Sequence, residues 1–208
     1  MKLFAHPASP NCVAVAATAN WLGLRLEVKQ VDLFGGEQST PAFLALNPNG
    51  KAPVLRHGDF VLWETTAILQ YFVDCSPRAS FGWTARERAD VARWLAWGLA
   101  HWNPSLQPFI FQRVFKPMKG LGEPDEALLA DRAAELRRTA SVLDQRLASS
   151  EHVCGEGVSA ADFFLAAYPM YAREARLELA EFDCLRRWLE RIHHLPQWRE
   201  AQENLAAA

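Results

Sequence analysis

The segment of residues 46–69, LNPNGKAPVLRHGDFVLWETTAIL, constrains the fold of this chain more than any other feature. Its Asn-Pro-Asn-Gly sequence is a dense turn signal, and two short apolar runs follow at residues 52–56 and 60–63. The His-Gly-Asp sequence between the runs favours a turn, so the two runs predict a hairpin. We expect an apolar helix to start directly after the hairpin, at residues 64–66.

Pro53 marks the start of the first hairpin strand. A proline there removes one backbone donor, so it must lie at an edge or at a special turn. A cis bond before Pro53 would expose the backbone of Ala52 to a ligand. At the other end of the hairpin, the helix start at Thr65 offers free N–H groups and Glu64 offers a carboxylate. A small zwitterion would find a partner there for each of its charged ends.

These residues resemble the glutathione-binding signature of the cytosolic glutathione transferases. The family pattern is Asn-Pro-x-Gly-Lys-x-Pro, a hairpin, and then Glu-Ser/Thr-x-Ala-Ile. In this chain residues 47–53 read NPNGKAP and residues 64–68 read ETTAI. The resemblance extends to the N-terminus and, more weakly, to the C-terminal half, and therefore covers nearly the whole chain.

The composition is that of a globular protein with a sizeable core. Of the 208 residues, 50% are hydrophobic and 22% are charged, and the formal net charge is −2. This balance gives no support for nucleic-acid binding, and no apolar run has the length of a membrane span. The four cysteines lie far apart, which predicts reduced thiols and a cytoplasmic location. The histidines lack metal-ligand spacing, so we expect no metal site.

The pattern along residues 1–76 predicts the element order βαβ, α, ββα, which is the thioredoxin-like order. Its first helix, from about residue 11 to residue 22, should end at Gly23. After a linker predicted at residues 77–85, residues 86–208 show only helical periodicity. The fold class is therefore an α/β thioredoxin-like domain followed by an all-α helical-bundle domain, as in the glutathione transferases.

Two features of the predicted helical domain can be tested directly. One helix should bury a single apolar face, made of Val91, Trp94, Leu95, Leu99 and Trp102. Residues 159–162, SAAD, have the form of a capping box that starts an apolar helix, and we assign it a structural role only.

The resemblance implies which residues hold glutathione, the co-substrate of the family. Glu64 would bind the ammonium group of the γ-glutamyl head, and Thr65 would bind its carboxylate. Ala52, held open by Pro53, would pair with the cysteinyl backbone, and Lys51 would reach the glycyl carboxylate. The alternative for Glu64 and Thr65 is an ordinary helix N-cap.

The resemblance also places the chemistry of the glutathione thiol just after the first strand. A thiol with a pKa near 8.5 is mostly protonated at pH 7, and lowering that pKa by about two units is worth roughly 2.7 kcal/mol. Serine-type members use a hydroxyl donor here, and Ser9 in the sequence HPASPN occupies that position, as in phi-like plant and bacterial enzymes. Asn11 adds a second donor, as in nu-type enzymes. Cys12 is a competing candidate, and a plain N-cap is the alternative for Ser9.

Two departures from the phi pattern affect the charge of the site. The loop before Pro41 often carries His-Lys in that class, whereas this chain has Gln38-Ser39. A charge contact with glutathione is therefore missing, although Gln38 could still donate a hydrogen bond. Val13-Ala14 replaces a frequent Arg-Arg, which removes positive charge near the thiolate.

Three functions remain open at this level. The first is a glutathione S-transferase that joins the glutathione thiolate to small apolar electrophiles, and the second is a glutathione-dependent disulfide or peroxide reductase. The third is a non-catalytic interaction module. The resemblance implies a homodimer and a second-substrate pocket formed with the helical domain. Candidates for that pocket by family position are His101, Trp102, Asn103, Phe109, Phe111, Phe115 and Tyr171.

Overall fold

The computed structural model describes residues 1–76 and 84–208. The described residues form two compact units. The first unit contains the described part of Met1–Ser80 together with His194–Ala208. The second unit contains the described part of Phe81–His193.

The first unit has the element order predicted for residues 1–76, with one additional helix from the C-terminus. Its elements are β1 (Lys2–Ala5), α1 (Pro10–Leu22), β2 (Glu27–Gln30), a 3-10 turn (Glu37–Ser39), α2 (Pro41–Leu44), β3 (Val54–His57), β4 (Phe60–Trp63), α3 (Thr65–Cys75) and α10 (Pro196–Ala207). The strands form one sheet in the order β2-β1-β3-β4. Strands β1 and β2 are parallel, whereas β3 is antiparallel to both β1 and β4.

Helix α1 is capped at both ends by the residues that the sequence indicated. Ser9 accepts a hydrogen bond at the N-terminus, and Pro10 occupies the first turn, where its missing N–H costs nothing. Gly23 ends the helix with φ 71°, a left-handed conformation that favours glycine. The helix packs against both α3 and α10, which explains why its small residues are buried on nearly every side.

The C-terminal helix α10 belongs to the first unit, although the predicted helical domain ran from residue 86 to residue 208. Side chains of the first unit bind its backbone: Asn20 Nδ2 donates to the Gln197 carbonyl at 3.2 Å, and Gln30 Nε2 donates to the Leu205 carbonyl at 2.8 Å. Helical periodicity gives no information on which unit a helix joins, so the sequence pattern missed this packing.

The predicted linker at residues 77–85 lies largely outside the described residues. Its last two positions, Thr84 and Ala85, are the N-cap and the first residue of helix α4 (Ala85–Trp97). Thr84 and Glu87 make a capping box there, with the Thr84 side chain accepting from the Glu87 N–H at 3.1 Å.

The described part of the second unit is helical. Its elements are α4 (Ala85–Trp97), a π-helical turn (Gly98–Trp102), α5 (Asn103–Ile110), a second π-helical turn (Phe111–Phe115), α6 (Lys116–Met118), α7 (Glu126–Leu147), α8 (Ala160–Ala167), a 3-10 turn (Tyr168–Tyr171) and α9 (Asp183–His194). Within the described ranges, no helix has the length and apolar character needed to cross a membrane.

The predicted apolar face of α4 is interrupted by the first π-helical turn. Trp94, Leu95 and Trp102 are buried as expected, but Leu99 is 46% exposed, so the prediction was wrong for Leu99. The wider π turn shifts the helical register and turns Leu99 outward. Gly98 faces the interior instead. A side chain does not fit at this position, because a Cβ there would lie only 2.7 Å from the Leu165 side chain.

The predicted capping box at the start of α8 is confirmed, and its carboxylate does more than cap the helix. Asp162 is fully buried, and it accepts the Ser159 N–H at 2.9 Å and the Ser159 hydroxyl at 2.7 Å. Its other oxygen accepts the Val153 N–H and the Trp188 Nε1–H, each at 2.9 Å. The carboxylate therefore ties α8 to the loop before it and to α9.

Candidate functional site

One edge of the sheet brings together the segments that carry the predicted site. The register pairs Phe4 with Val54 and Val54 with Trp63. Because β1 and β4 end where β3 begins, the loop after β1, the residues before β3 and the start of α3 share that edge. The predicted residues in these three segments are Ser9, Asn11, Lys51, Ala52, Pro53, Glu64 and Thr65.

Ser9 is the N-cap of α1, and this role leaves its hydroxyl proton available. The Ser9 Oγ accepts the Cys12 N–H at 3.4 Å, while the Ser9 N–H donates to the His6 carbonyl at 3.0 Å. A capping oxygen acts as an acceptor, so its O–H can still donate to another group. Ser9 can therefore act both as the helix cap and as the thiolate donor, the two roles that the sequence left as alternatives.

Cys12 is unsuited to thiolate chemistry. Its side chain has no solvent exposure, and burial raises the pKa of the thiol to about 11. Hydrogen bonds from Ser9 and His6 act in the opposite direction but are outweighed by burial. A protonated, buried thiol is a poor nucleophile at neutral pH. The neighbouring Asn11 is partly exposed in the first turn of α1.

Ala52 presents its backbone at the sheet edge. The Ala52-Pro53 peptide bond is cis. Among the described residues, neither the N–H nor the C=O of Ala52 has a backbone partner. The turn that leads to it is held by Asn47, whose Nδ2 donates to the Lys51 carbonyl at 2.7 Å and whose Oδ1 accepts the Asn49 N–H at 3.0 Å.

Asn47 is the residue that sequence reasoning missed as a support of the site. In the sequence Asn47 stands only as part of a turn signal and of the family pattern, whereas its side chain is buried and hydrogen-bonds to Asn49 and Lys51, which shapes the segment before Ala52. An asparagine that directly precedes a proline in a turn was the available signal, since such side chains often bond to the backbone two residues ahead.

Glu64 is not an ordinary N-cap, although it precedes α3. Its side chain makes no capping hydrogen bond, and its backbone angles are φ 73° and ψ 118°. A non-glycine residue in such a region costs about 1–3 kcal/mol, and strain of this kind concentrates at ligand sites. The Glu64 carbonyl still accepts the Ile68 N–H at 3.0 Å, so the helix starts normally while the carboxylate stays exposed. Thr65 is buried directly behind it.

Gln38 and Lys51 lie on two packed loops. The Gln38 carbonyl is 3.1 Å from the place that a Cβ on Gly50 would occupy, so the 3-10 turn contacts the residue before Lys51. Gly50 also has φ +60°, which a larger residue adopts only with strain. The Gln38 Oε1 is buried and has no hydrogen-bond partner among the described residues. Buried polar atoms are rarely unpaired, and this oxygen can accept a hydrogen bond but not donate one.

Two family models match the chain. The model described as "Glutathione S-transferase, N-terminal domain" matches residues 1–74, and the model described as "Glutathione S-transferase, C-terminal domain" matches residues 106–196. Together they cover most of the sequence. The chain belongs to the glutathione S-transferase family. The predicted fold class and the predicted enzyme class, a glutathione transferase, are thereby confirmed.

Individual relatives agree with this assignment. Glutathione S-transferase 3 of Zea mays is 36% identical over 173 residues, which is 81% of this chain and 77% of the relative. The crystal structure of glutathione transferase F7 from Populus trichocarpa has a TM-score of 0.89 at 28% identity and covers 98% of both chains. The structure of a glutathione S-transferase from Pseudomonas fluorescens has a TM-score of 0.83 at 30% identity, over 94% of this chain and 96% of that one.

The residues predicted by family position for the second substrate differ in their exposure. Trp102, Asn103 and Phe109 are buried, which is typical of core residues. Phe111 is exposed, and Phe115 contacts Tyr171 edge-to-face with ring centroids 5.4 Å apart. These residues remain a set of candidates.

Replacement of Cys12 by alanine should leave both conjugation and disulfide reduction within about twofold of wild type, because a thiol with a pKa near 11 stays protonated. Turnover with an aryl halide and with a disulfide measures this directly. Cys184→Ala, at a partly exposed thiol on α9, is the matched control. A loss of disulfide turnover specific to Cys12→Ala would contradict the expectation.

Proposed function

We propose that this transferase activates glutathione beside Ser9 and joins its sulfur to the electrophilic carbon of a small apolar substrate. The observation that carries the proposal is the convergence of Ser9, the open backbone of Ala52 and the Glu64-Thr65 helix start at one sheet edge. In the reaction the glutathione thiol loses its proton to solvent, a sulfur–carbon bond forms, and the leaving group departs with the bonding electron pair. No covalent enzyme intermediate is needed.

The γ-glutamyl head of glutathione fits the start of α3. The exposed Glu64 carboxylate would accept its ammonium group, and the Thr65 N–H and hydroxyl would bind its carboxylate. The partial positive charge of the helix N-terminus adds to this attraction. The Glu64 backbone strain is consistent with a carboxylate held for a ligand rather than for stability.

The remaining part of glutathione fits the adjacent loops. The N–H and C=O of Ala52 would pair with the cysteinyl backbone, with Pro53 holding the chain open. Lys51 would reach the glycyl carboxylate, and the buried Gln38 Oε1 would accept a hydrogen bond from the glycyl N–H beside it. This set directs the thiol of glutathione towards the end of β1, where Ser9 and Asn11 lie.

The Ser9 hydroxyl would stabilise the thiolate together with the N-terminus of α1. Lowering the thiol pKa from about 8.5 by two units needs roughly 2.7 kcal/mol, which a hydroxyl donor and a helix dipole can supply together. Asn11 is a second donor in the same turn. Positioning and thiolate stabilisation thus account for the catalysis.

We also propose that the protein acts as a homodimer in the cytoplasm. Exposed apolar side chains such as Phe60 and Trp63 on β4 and Leu99 on the second unit favour association with a second copy. All four cysteines are free, which is consistent with a reducing compartment. Sedimentation or light scattering would test the dimer.

The proposed reaction is tested by assaying an activated aryl halide and a disulfide in parallel, with glutathione binding measured by calorimetry. We expect binding, conjugation of the aryl halide and weak disulfide turnover. Faster disulfide turnover would favour a reductase that uses the same site. Absence of both activities and of glutathione binding would overturn the proposal in favour of an interaction module.

The assignment of Glu64 makes a prediction in which binding and stability change in opposite directions. Glu64→Gln should weaken glutathione binding about tenfold or more, because a charged hydrogen bond is lost. Glu64→Gly should also lose affinity but should raise the free energy of unfolding by about 1 kcal/mol, because glycine relieves the strained backbone. Calorimetry and urea denaturation measure the two effects.

The control for Glu64 is Asp59→Asn, which removes a carboxylate from the hairpin turn at the opposite sheet edge. Asp59→Asn should change neither the affinity for glutathione nor the free energy of unfolding. If both Glu64 variants lower stability and leave glutathione affinity unchanged, Glu64 is a structural cap and its assignment is wrong.

A further inference from the structure

The turn that presents Ser9 is closed by hydrogen bonds that the backbone carbonyl and the side chain of His6 accept. The His6 carbonyl accepts the Ser9 N–H at 3.0 Å, and the His6 Nδ1 accepts the Ala8 N–H at 3.0 Å. The His6 N–H points to the Cys12 Sγ at 3.5 Å. A single residue at the end of β1 therefore binds three of the six residues that follow it.

The imidazole must be neutral to play this part. A nitrogen that accepts an N–H cannot carry a proton, so the ring has its proton on Nε2. Burial lowers the pKa of His6, and Asp32 from the loop after β2 partly opposes this. On α1 the facing ionisable group is Cys12, which stays a neutral thiol. Edge-to-face contact with Phe34, with centroids 5.1 Å apart, holds the ring in place.

We propose that His6 is a positioning residue, whose neutral imidazole fixes the turn that aims the Ser9 hydroxyl at the glutathione sulfur. The inference rests on the proposed role of Ser9. Without the Nδ1 acceptor, the turn loses the hydrogen bond between the Ala8 N–H and His6 and is held less firmly. The Ser9 Oγ must accept the Cys12 N–H and donate its own proton to the sulfur at the same time. A small shift of Ser9 therefore weakens the hydrogen bond to the sulfur. His6 itself contacts neither substrate in this mechanism.

Two substitutions distinguish the role of the His6 Nδ1 acceptor from the role of the aromatic ring. His6→Phe keeps an aromatic ring against Phe34 but removes the acceptor. His6→Asn restores an oxygen that can accept the N–H two residues ahead, as asparagine does in turns. His57→Phe, at the opposite sheet edge where His57 Nδ1 bonds to the Tyr71 hydroxyl at 2.8 Å, is the matched control.

The decisive readout is the pKa of bound glutathione, followed by its ultraviolet thiolate absorbance. We expect His6→Phe to raise that pKa and to lower kcat about tenfold, with a smaller change in the KM for glutathione. His6→Asn should recover most of the loss, and His57→Phe should leave the pKa unchanged. In the Ser9→Ala background, His6→Phe should have no further effect on the thiol pKa, because His6 acts through Ser9.

Each result is informative about one of the two proposals. If Ser9→Ala leaves the thiol pKa unchanged, the proposed role of Ser9 fails. If Ser9→Ala raises it but folded His6→Phe does not, the inference about His6 fails while Ser9 stands. Side-chain nitrogen NMR of the wild type gives a test that needs no variant. An Nδ1–H tautomer or an imidazolium at neutral pH would overturn the inference, and the Nε2–H tautomer supports it.

Discussion

Ser9→Ala should lower kcat/KM for aryl halide conjugation about 100-fold while glutathione still binds. The proposed hydroxyl is the donor to the sulfur, and its loss removes stabilisation from the thiolate and not from the rest of the ligand. Removing a single preorganised donor to a developing anion typically costs a factor of about 100 to 1,000 in rate. The helix N-terminus remains in the variant, so we expect the lower end of that range.

The expected signature is a raised thiol pKa in the complex, with a dissociation constant from calorimetry within a few-fold of wild type. Ser9→Thr keeps a hydroxyl and should recover much of the activity. Thr84→Ala removes another helix N-cap, in the second unit, and controls for the loss of a cap, which costs about 1 kcal/mol of stability. Equal activity of Ser9→Ala and wild type would make Ser9 a structural cap only.

Asp162→Ala should lower the free energy of unfolding by about 3–5 kcal/mol, the largest loss of stability that we expect. The substitution leaves the N–H groups of Val153 and Ser159 and the Trp188 Nε1–H without their acceptor in a dry interior. Each buried donor left unpaired costs about 1–3 kcal/mol. A cavity forms in addition, since Asp162 has no solvent exposure.

Urea denaturation followed by tryptophan fluorescence measures this loss. Trp188→Phe removes only one of the bonds to Asp162, and it should cost less than Asp162→Ala. Asp183→Ala removes an exposed carboxylate from the first turn of α9 and should be nearly neutral. If the Asp162→Ala variant is as stable as Asp183→Ala, the buried hydrogen bonds of Asp162 make no net contribution to the free energy of unfolding.

Local signals in the sequence predicted much of this fold and of its candidate site. Ser9-Pro10 and Gly23 are capping residues, and α1 starts and ends beside them. The hairpin at residues 52–63 follows the turn and strand signals. These features depend on interactions between residues that are close in sequence, so the residue types alone determine them. The same holds for the capping box at Ser159.

Only the tertiary structure decided the features that depend on distant residues. Cys12 is fully buried on α1, which packs against both α3 and α10, and this burial raises the pKa of its thiol. The place of α10 in the first unit depends on bonds to Asn20 and Gln30, about 175 residues away in the chain. Periodicity also missed the outward turn of Leu99, since a π turn forms where Gly98 meets α8. A sequence pattern shows that a face is apolar, whereas the packing partner decides which side chains are buried.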